Sequence, residues 1–308
     1  MKYRTFFCSL VLVLLCGGLA SPQGNADEGP SFKYSVKSQL VEVYLTVTKG
    51  KQLVPNLTAS DFTLLEDGEP VTIDRVDNPD VPLQIVLLFD LSESVRDSLK
   101  SIQDAAIAFV ESLKPHDRVT LVFFNSDIQV HHQESDDRRP LIKEIKNAQA
   151  QGMTKLYDAM LLAMKHLKGR PGRKAIVCFT DGQDTSGTSS RIAVLNAAAR
   201  FGFPIYTIGA GAGLELTTLK MILREFAEIN SGKALFIQNV GKLKEAFKEI
   251  EEELHSAYVL AYYTQVPPDG SFHTVSVRVS DSDHKAHCRK GFYAQREFES
   301  GSVSVHHR

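Results

Sequence analysis

Apolar runs alternate with amphipathic segments between residues 82 and 256, and this alternation is the strongest constraint on the fold. The apolar runs are IVLLF, VTLVFF, KAIVCFT and PIYTIGA. Apolar residues recur at helical spacing in the intervening segments 95–113, 156–168, 190–200, 215–229 and 241–256. Near-continuous apolar strands separated by helices are typical of a parallel sheet covered on both faces. The sequence therefore predicts an α/β domain with a doubly wound, mostly parallel, Rossmann-like sheet over residues 82–256.

Two further segments, one on each side of this domain, show strand periodicity. Residues 31–80 contain VEVYLTV and two short strands around Asp67-Gly68, a dipeptide typical of tight hairpins. Residues 257–296 contain AYVLAYYTQ, HTVSVRVSD and RKGFYAQ. Neither segment has enough strands to be stable alone, so we expect the two to pack together as one smaller β-sandwich. The tail at 297–308 is expected to be disordered.

The N-terminal sequence indicates export from the cytoplasm. Residues 1–20 carry two basic side chains, an apolar run of about ten residues and then Gly18-Leu19-Ala20, the pattern of a signal peptide cut after Ala20. A retained membrane anchor and lipidation at Cys16 are the alternatives, although Leu15 is an unusual residue before a lipidated cysteine. We therefore expect a secreted or periplasmic protein that contacts a membrane only if this segment is uncleaved.

Charge and cysteine content exclude several classes of function. Cleavage would remove Lys2 and Arg4 and change the formal net charge from −2 to about −4. The chain therefore has no excess of positive charge that would attract nucleic acid. Two cysteines, Cys178 and Cys288, remain outside the signal segment. A disulfide between them is possible in an oxidising compartment, but two free thiols are the favoured interpretation.

Three short polar stretches lie at predicted strand ends or in the loops beside them. FDLSES supplies Asp90, Ser92 and Ser94, GMTKLYDAM supplies Thr154, and CFTDGQDTSG supplies Asp181. Ligands of open α/β sheets bind at the carboxyl ends of the strands, so we expect these side chains to meet there. Carboxylates and hydroxyls are hard oxygen donors that suit Mg²⁺ or Mn²⁺, whereas zinc prefers His and Cys.

Each of these residues also has a purely local interpretation. Ser94 and Thr154 can be helix N-caps, and Asp181-Gly182 can be a turn. The occurrence of the whole set at three strand-end loops favours a metal site over separate local roles.

The pattern D-x-S-x-S, followed by a later Thr and a later Asp, resembles the metal-ion-dependent adhesion site of von Willebrand factor type A (VWA) domains. The stretch VTKGKQLVPNLTASDFTLLEDGEPVTI and the end YVLAYYTQ…RVSD…RKGFYA resemble VWFA-related proteins of acidobacteria, over roughly residues 33–295. The resemblance implies a Mg²⁺ ion held by Asp90, Ser92, Ser94, Thr154 and Asp181. It also implies a free coordination position that accepts an Asp or Glu carboxylate from a partner protein.

The leading hypothesis is thus a secreted, metal-dependent protein-binding module without catalysis and without a small-molecule substrate. A metal-assisted hydrolase is one alternative, and it would need Glu93 or Asp184 as the general base. A structural scaffold with a vestigial metal site is another. Residues 280–288, SDSDHKAHC, could form a second metal site, although a loop between strands is the favoured interpretation.

Overall fold

The structure is a computed structural model that describes residues 39–132, 137–210 and 217–294. The predicted signal peptide at 1–20 and the predicted tail at 297–308 lie outside these residues. Within the described ranges, every helix is too short or too polar to cross a lipid bilayer.

The described residues form strands and helices in the alternating order that the sequence predicts for the central part of the chain. The strands are β1 Gln39–Lys49, β2 Gln52–Leu53, β3 Phe62–Glu66, β4 Glu69–Val71, β5 Arg75–Asp77, β6 Leu83–Asp90, β7 Arg118–Phe124, β8 Ile128–His132, β9 Arg173–Thr180, β10 Ile205–Ala210, β11 Ala234–Ile237, β12 Tyr258–Thr264, β13 Phe272–Val279, β14 His284–Cys288 and β15 Gly291–Tyr293. The α-helices are α1 Leu99–Ser112, α2 Arg139–Asn147, α3 Leu156–Leu167, α4 Arg191–Phe201, α5 Thr217–Glu228 and α6 Leu243–Leu254. Short 3-10 helices cover Ala59–Asp61, Glu93–Ser98 and Val240–Lys242.

The central sheet has the strand order β11-β10-β9-β6-β7-β8. Its neighbouring strands pair in parallel, except that the edge strand β8 runs antiparallel to β7. One face of β6, including Leu87 and Phe89, packs with apolar residues of α1, α2 and α6. The other face, including Val86 and Leu88, packs with α3, α4 and α5. The predicted doubly wound, mostly parallel α/β fold is confirmed.

Strands from before and after the α/β domain share two antiparallel sheets. One sheet has the order β14-β1-β12-β5 with β2 added to β1, and the other has the order β15-β13-β3-β4. Their facing apolar residues form one core that includes Val43, Leu64, Tyr258 and Val275. The hairpin between β3 and β4 turns at Asp67-Gly68, where both residues have positive φ. The N- and C-terminal segments therefore form the smaller β-sandwich together; the exact domain boundaries stay a prediction.

The β-sandwich is joined to the α/β domain through a buried arginine at the start of β9. The guanidinium of Arg173 donates hydrogen bonds to the carbonyl oxygens of Pro79 (2.9 Å), Val81 (2.8 Å), Leu254 (2.7 Å) and Ala257 (3.0 Å). These four carbonyls lie where the chain enters and leaves the α/β domain. One side chain thus holds both connections in place.

The two cysteines within the described residues are free thiols in different sheets. Cys178 is buried in β9, and Cys288, at the end of β14, is partly buried. Burial raises the pKa of both thiols. The favoured interpretation of two unbridged thiols agrees with this arrangement.

Candidate metal centre

Asp90 is the last residue of β6 and is fully buried at the carboxyl edge of the central sheet. Its Oδ1 accepts a hydrogen bond from the backbone N–H of Ser92 (2.9 Å), and its Oδ2 accepts one from the hydroxyl of Thr180 (2.6 Å). Burial raises the pKa of Asp90 to about 6, although the hydrogen bonds from Ser92 and Thr180 oppose that rise. The nearby carboxylate of Asp181 raises it further. The site thus concentrates negative charge at a buried strand end.

The first and third loops meet through side chains. Ser92 Oγ lies 3.0 Å from Ser94 Oγ, and the Ser94 hydroxyl donates a hydrogen bond to Asp181 Oδ1 at 2.6 Å. Burial raises the pKa of Asp181, while the hydrogen bond from Ser94 lowers it. Two carboxylates and two hydroxyls are therefore linked into one cluster.

Thr154 brings the second loop to the same cluster. A methyl group on Gly182 would lie 3.6 Å from Thr154 Oγ1 and 3.7 Å from Ser94 Oγ, so the two hydroxyls border the same small space. The backbone of Thr154 is fixed by Thr185, whose hydroxyl accepts from the Thr154 N–H and whose own N–H donates to the Thr154 carbonyl, both at 2.9 Å. All five residues predicted from the sequence are thus gathered at one edge of the sheet.

Backbone hydrogen bonds hold the first two loops against each other. The Leu91 N–H donates to Phe124 O at the end of β7 (2.9 Å), and the Gln151 N–H donates to Leu91 O (2.8 Å). The Glu93 N–H donates to Gly152 O (3.0 Å). Because these bonds do not use the site's side chains, the cluster is pre-positioned by the main chain.

The expected local roles of Ser94 and Thr154 as helix N-caps are wrong. Ser94 lies inside the 3-10 helix Glu93–Ser98, and Lys155 occupies the N-cap position of α3. The first turn of α3 is instead capped from the third loop, because Asp184 Oδ2 accepts the N–H of Tyr157 at 2.9 Å. Long-range contacts therefore leave the Ser94 and Thr154 hydroxyls at the cluster rather than at helix ends.

Sequence reasoning missed Thr180, which holds Asp90 from the neighbouring strand. A threonine as the last residue of a buried apolar strand, directly before Asp181, is the available signal. Its contact with Asp90 depends on the parallel pairing of β6 with β9, which only the structure supplies.

Glu93 and Asp184, the two residues considered as a general base, both have partners in the structure. Asp184 accepts backbone N–H groups with both oxygens, from Tyr157 and from Gly187, each at 2.9 Å. Glu93 forms an exposed ion pair with Arg96 at 2.6 Å. Asp184 therefore acts as a structural cap of α3 and its loop.

A Ser–His–Asp arrangement that the sequence did not indicate lies in the β-sandwich. Ser271 Oγ lies 2.8 Å from His273 Nε2, and His273 Nδ1 lies 2.7 Å from Asp67 Oδ2. The Ser271 hydroxyl also donates to Asp269 Oδ1 at 2.5 Å, within an exposed turn. Because the Ser271 hydroxyl directs its hydrogen at Asp269, it does not donate to His273, and His273 does not activate Ser271 as a nucleophile. We interpret the group as a polar turn.

The donor set of the cluster fits a hard divalent cation. Two carboxylates and three hydroxyls converge there, and hydroxyl and carboxylate oxygens are the ligands that Mg²⁺ and Mn²⁺ prefer. In the described ranges no group of three or more His, Cys, Asp or Glu side chains is placed to hold a metal ion, either at residues 280–288 or at the candidate cluster, whose acidic members are Asp90 and Asp181. The loop interpretation of that stretch is wrong for its second half, because His284–Cys288 form β14, which pairs with β1; only residues 280–283 connect β13 to β14.

The comparisons with known proteins point to one family. The sequence model of the von Willebrand factor type A domain matches residues 84–249, more than half of the 308 residues. The inter-alpha-trypsin inhibitor heavy chain H1 of Sus scrofa is 26% identical over 170 residues, which are 49% of this chain and 18% of that protein. The chain thus spans less than a fifth of the length of this curated relative.

Solved structures share the fold at low sequence identity. Proximal thread matrix protein 1 from the mussel byssus, with a zinc-occupied MIDAS motif, aligns with a TM-score of 0.51 at 16% identity, over 65% of this chain and 50% of that one. A von Willebrand factor type A protein from Catenulispora acidiphila aligns with a TM-score of 0.49 at 12% identity, over 84% of this chain and 74% of that one.

Proposed function

The chain belongs to the von Willebrand factor type A domain family, and from that premise we propose that it is a metal-dependent protein-binding module. Domains of this family commonly mediate protein interactions and often bind a divalent metal ion. In the proposed site, Asp90, Ser92, Ser94, Thr154 and Asp181 hold Mg²⁺ or Mn²⁺ and recognise a carboxylate of a partner protein.

The observation that carries the proposal is the junction of the first and third loops at Ser94 and Asp181. The 2.6 Å hydrogen bond between them places neutral hydroxyls beside two carboxylates whose pKa values burial raises. A cation would relieve this build-up of negative charge, as ion binding does at other carboxylate clusters. The residues of the motif are therefore also the residues whose negative charge a bound cation would balance.

The number of oxygen donors in the set leaves room for an external carboxylate ligand. A bound Mg²⁺ supplies a Lewis-acidic centre with a coordination position for an anionic oxygen. Asp90 and Asp181 contribute the negative charge, while Ser92, Ser94 and Thr154 contribute neutral oxygens. Mg²⁺ takes six oxygen ligands in octahedral geometry, so these five side chains would leave one position for an Asp or Glu side chain of a partner.

The contacts of the candidate bases support binding rather than hydrolysis. A hydrolase would need a carboxylate or imidazole free to accept a proton from water near the cluster. Asp184 uses both oxygens to hold backbone N–H groups. We therefore propose no catalytic step at this site.

We also propose that the protein acts outside the cytoplasm, after removal of residues 1–20. The charged start, apolar run and small residues before position 21 support this location. Expression of the full chain in a bacterial host, followed by cell fractionation and N-terminal sequencing, tests it. A mature protein that begins at Ser21 outside the cytoplasm is expected, whereas an uncut cytoplasmic chain contradicts the proposal.

Calorimetric titration of Mg²⁺ and Mn²⁺ into residues 21–308 tests the metal site. Saturable binding is expected for the wild type and for Asp104→Ala, a control at a partly exposed position on α1. Binding should be lost in Asp90→Ala. Equal binding by Asp90→Ala, or no binding by the wild type, contradicts the site.

Capture of the partner tests the interaction itself. We expect the wild type to retain a carboxylate-bearing partner only when the divalent ion is present, and Asp181→Ala to lose it while keeping the fold. Retention of that partner in excess chelator would contradict a metal-dependent contact.

A further inference from the structure

A buried arginine that has no counter-ion among the residues the structure describes lies between the β-sandwich and the α/β domain. Arg289 follows β14 and is only 5% exposed. Its guanidinium lies against the backbone of Gly202, at the C-terminal end of α4, where a Cβ would overlap Nη1. Its Cζ lies 5.9 Å from the centre of the Phe292 ring.

The polar surroundings of Arg289 do not satisfy its charge. Within the described part of the chain, its Nε is buried without a hydrogen-bond partner. The nearby carboxylate of Glu42 is engaged elsewhere, by Lys174 at 3.1 Å and by Arg75 at 3.4 Å. Burying an unpaired guanidinium is costly, so its retention calls for a compensating role. The C-terminal end of α4 offers partial negative charge, but a helix dipole is a weak substitute for an anion.

A cleft of about 360 Å³ opens beside this guanidinium. Five cationic side chains and one carboxylate line it: Lys168, Arg170, Lys174, Arg200, Arg289 and Glu42. This local excess of positive charge contrasts with the net charge of −2 of the whole chain. Such an excess attracts and holds anions, and guanidinium groups bind carboxylate and phosphate in a bidentate manner.

Aromatic rings form the apolar part of the same cleft. Phe201 and Phe203 stack with their ring centres 5.8 Å apart, and Lys174 Nζ lies 5.7 Å from the centre of the Phe203 ring. Phe292 and the half-exposed Tyr293 contribute from the β-sandwich. A ligand that fits this lining has a planar or apolar portion next to its anionic group.

We propose that this cleft binds an organic oxyanion, whose carboxylate or phosphate group pairs with Arg289 and whose apolar portion lies on the aromatic rings. The cleft shares no lining residue with the metal centre, so this binding goes beyond the proposed partner capture. A larger cavity of about 750 Å³ on another side of Arg289 is lined by both lysines and glutamates, and its mixed charge makes it the poorer anion site.

Phenyl phosphate, benzoate and inorganic phosphate are the probes, titrated calorimetrically into residues 21–308 after metal ions have been removed on a chelating resin. No anion can then bind through a metal ion, so this result is independent of the proposed metal site, and no soluble carboxylate chelator competes for the cleft. We expect phenyl phosphate or benzoate to bind, and phenyl phosphate to bind more tightly than inorganic phosphate because of the aromatic lining. The stronger of the two aromatic probes identifies the preferred anionic group.

Two variants assign the binding to Arg289. Arg289→Met should weaken binding by about tenfold or more, as expected for a lost charge-assisted hydrogen bond, whereas the exposed sandwich residue Arg278→Met should leave it unchanged. Arg289→Met should also unfold at the same or a higher temperature without ligand, because it removes an unpaired buried charge. If Arg289→Met does not fold, the exposed rim variant Arg200→Gln decides, with weaker binding and a smaller salt dependence expected. No binding by the wild type, or equal affinity in the folded Arg289→Met or in the rim variant, overturns the proposal.

Discussion

Ser94 donates a 2.6 Å hydrogen bond to Asp181, although 87 residues of sequence separate them. The bond joins the loop after β6 to the loop after β9, two parallel strands that are neighbours in the central sheet. It is the contact that turns two separate polar loops into one candidate metal centre.

Replacing Ser94 with alanine tests the importance of this junction for ion binding. The change removes one oxygen donor and the hydrogen bond to Asp181, so we expect Mg²⁺ affinity to fall by about tenfold or more. Calorimetric titration measures it. Ser101→Ala, at an exposed position on α1, is the matched control and should bind as the wild type does. Unchanged affinity in Ser94→Ala would remove this hydroxyl from the site.

Thr180→Val tests a residue that supports the site without belonging to the motif. The variant keeps the shape of the side chain but loses the 2.6 Å bond to Asp90 Oδ2. Because that hydroxyl orients a candidate ligand, we expect Mg²⁺ affinity to fall by roughly tenfold. Thr207→Val is the control, since Thr207, on the neighbouring strand β10, is also buried and donates a hydrogen bond to Leu223 O in α5. If both variants lower affinity equally, the effect belongs to general packing of the sheet.

Arg173→Met tests the link between the β-sandwich and the α/β domain. The variant leaves four carbonyl oxygens without the donors that Arg173 provides. We expect the free energy of unfolding to fall by about 3–5 kcal/mol, the usual cost of breaking a buried polar network. Urea denaturation measures the loss. The exposed residue Arg139 supplies the control, and Arg139→Met should change stability by less than about 0.5 kcal/mol.

The buried pair of Asp117 and His255 predicts a contribution to acid stability. Burial alone would raise the pKa of Asp117, but hydrogen bonds from His255, at 2.9 Å, and from two backbone N–H groups give it a lowered pKa in the folded protein. A carboxylate with a lowered folded pKa stabilises the protein above its unfolded pKa of about 3.9, and this stabilisation disappears as pH falls through the folded value.

We therefore expect Asp117→Asn to be less stable than the wild type at neutral pH and the difference to shrink below about pH 4. Urea denaturation at a series of pH values measures it. The partly exposed residue Asp104 provides the comparison, and Asp104→Asn should show only a small difference at every pH. A difference that persists undiminished at the lowest pH would contradict the assignment to the Asp117 carboxylate.

The α/β fold and the residues of the candidate site could be predicted because both correspond to patterns between near neighbours in the sequence. The apolar runs that became β6, β7, β9 and β10 are continuous because each strand is covered on two faces. The elements that were missed are short or lie at a sheet edge: α2, β2, β5, β8, β14 and the half-buried β11. Their patterns are too brief for periodicity to separate them from loops.

The sequence by itself determined the alternation of strands and helices, the Asp67-Gly68 hairpin and the five oxygen-bearing residues of the candidate site. Only the tertiary structure decided that Ser94 bonds to Asp181, that Thr180 holds Asp90, that Arg173 joins the chain connections and that Arg289 is buried beside a basic cleft. The reason is physical: periodicity reports which side of an element is buried, and it depends on near neighbours in the chain. The partner of a polar side chain depends instead on which distant segments the sheet order and register bring within hydrogen-bond distance.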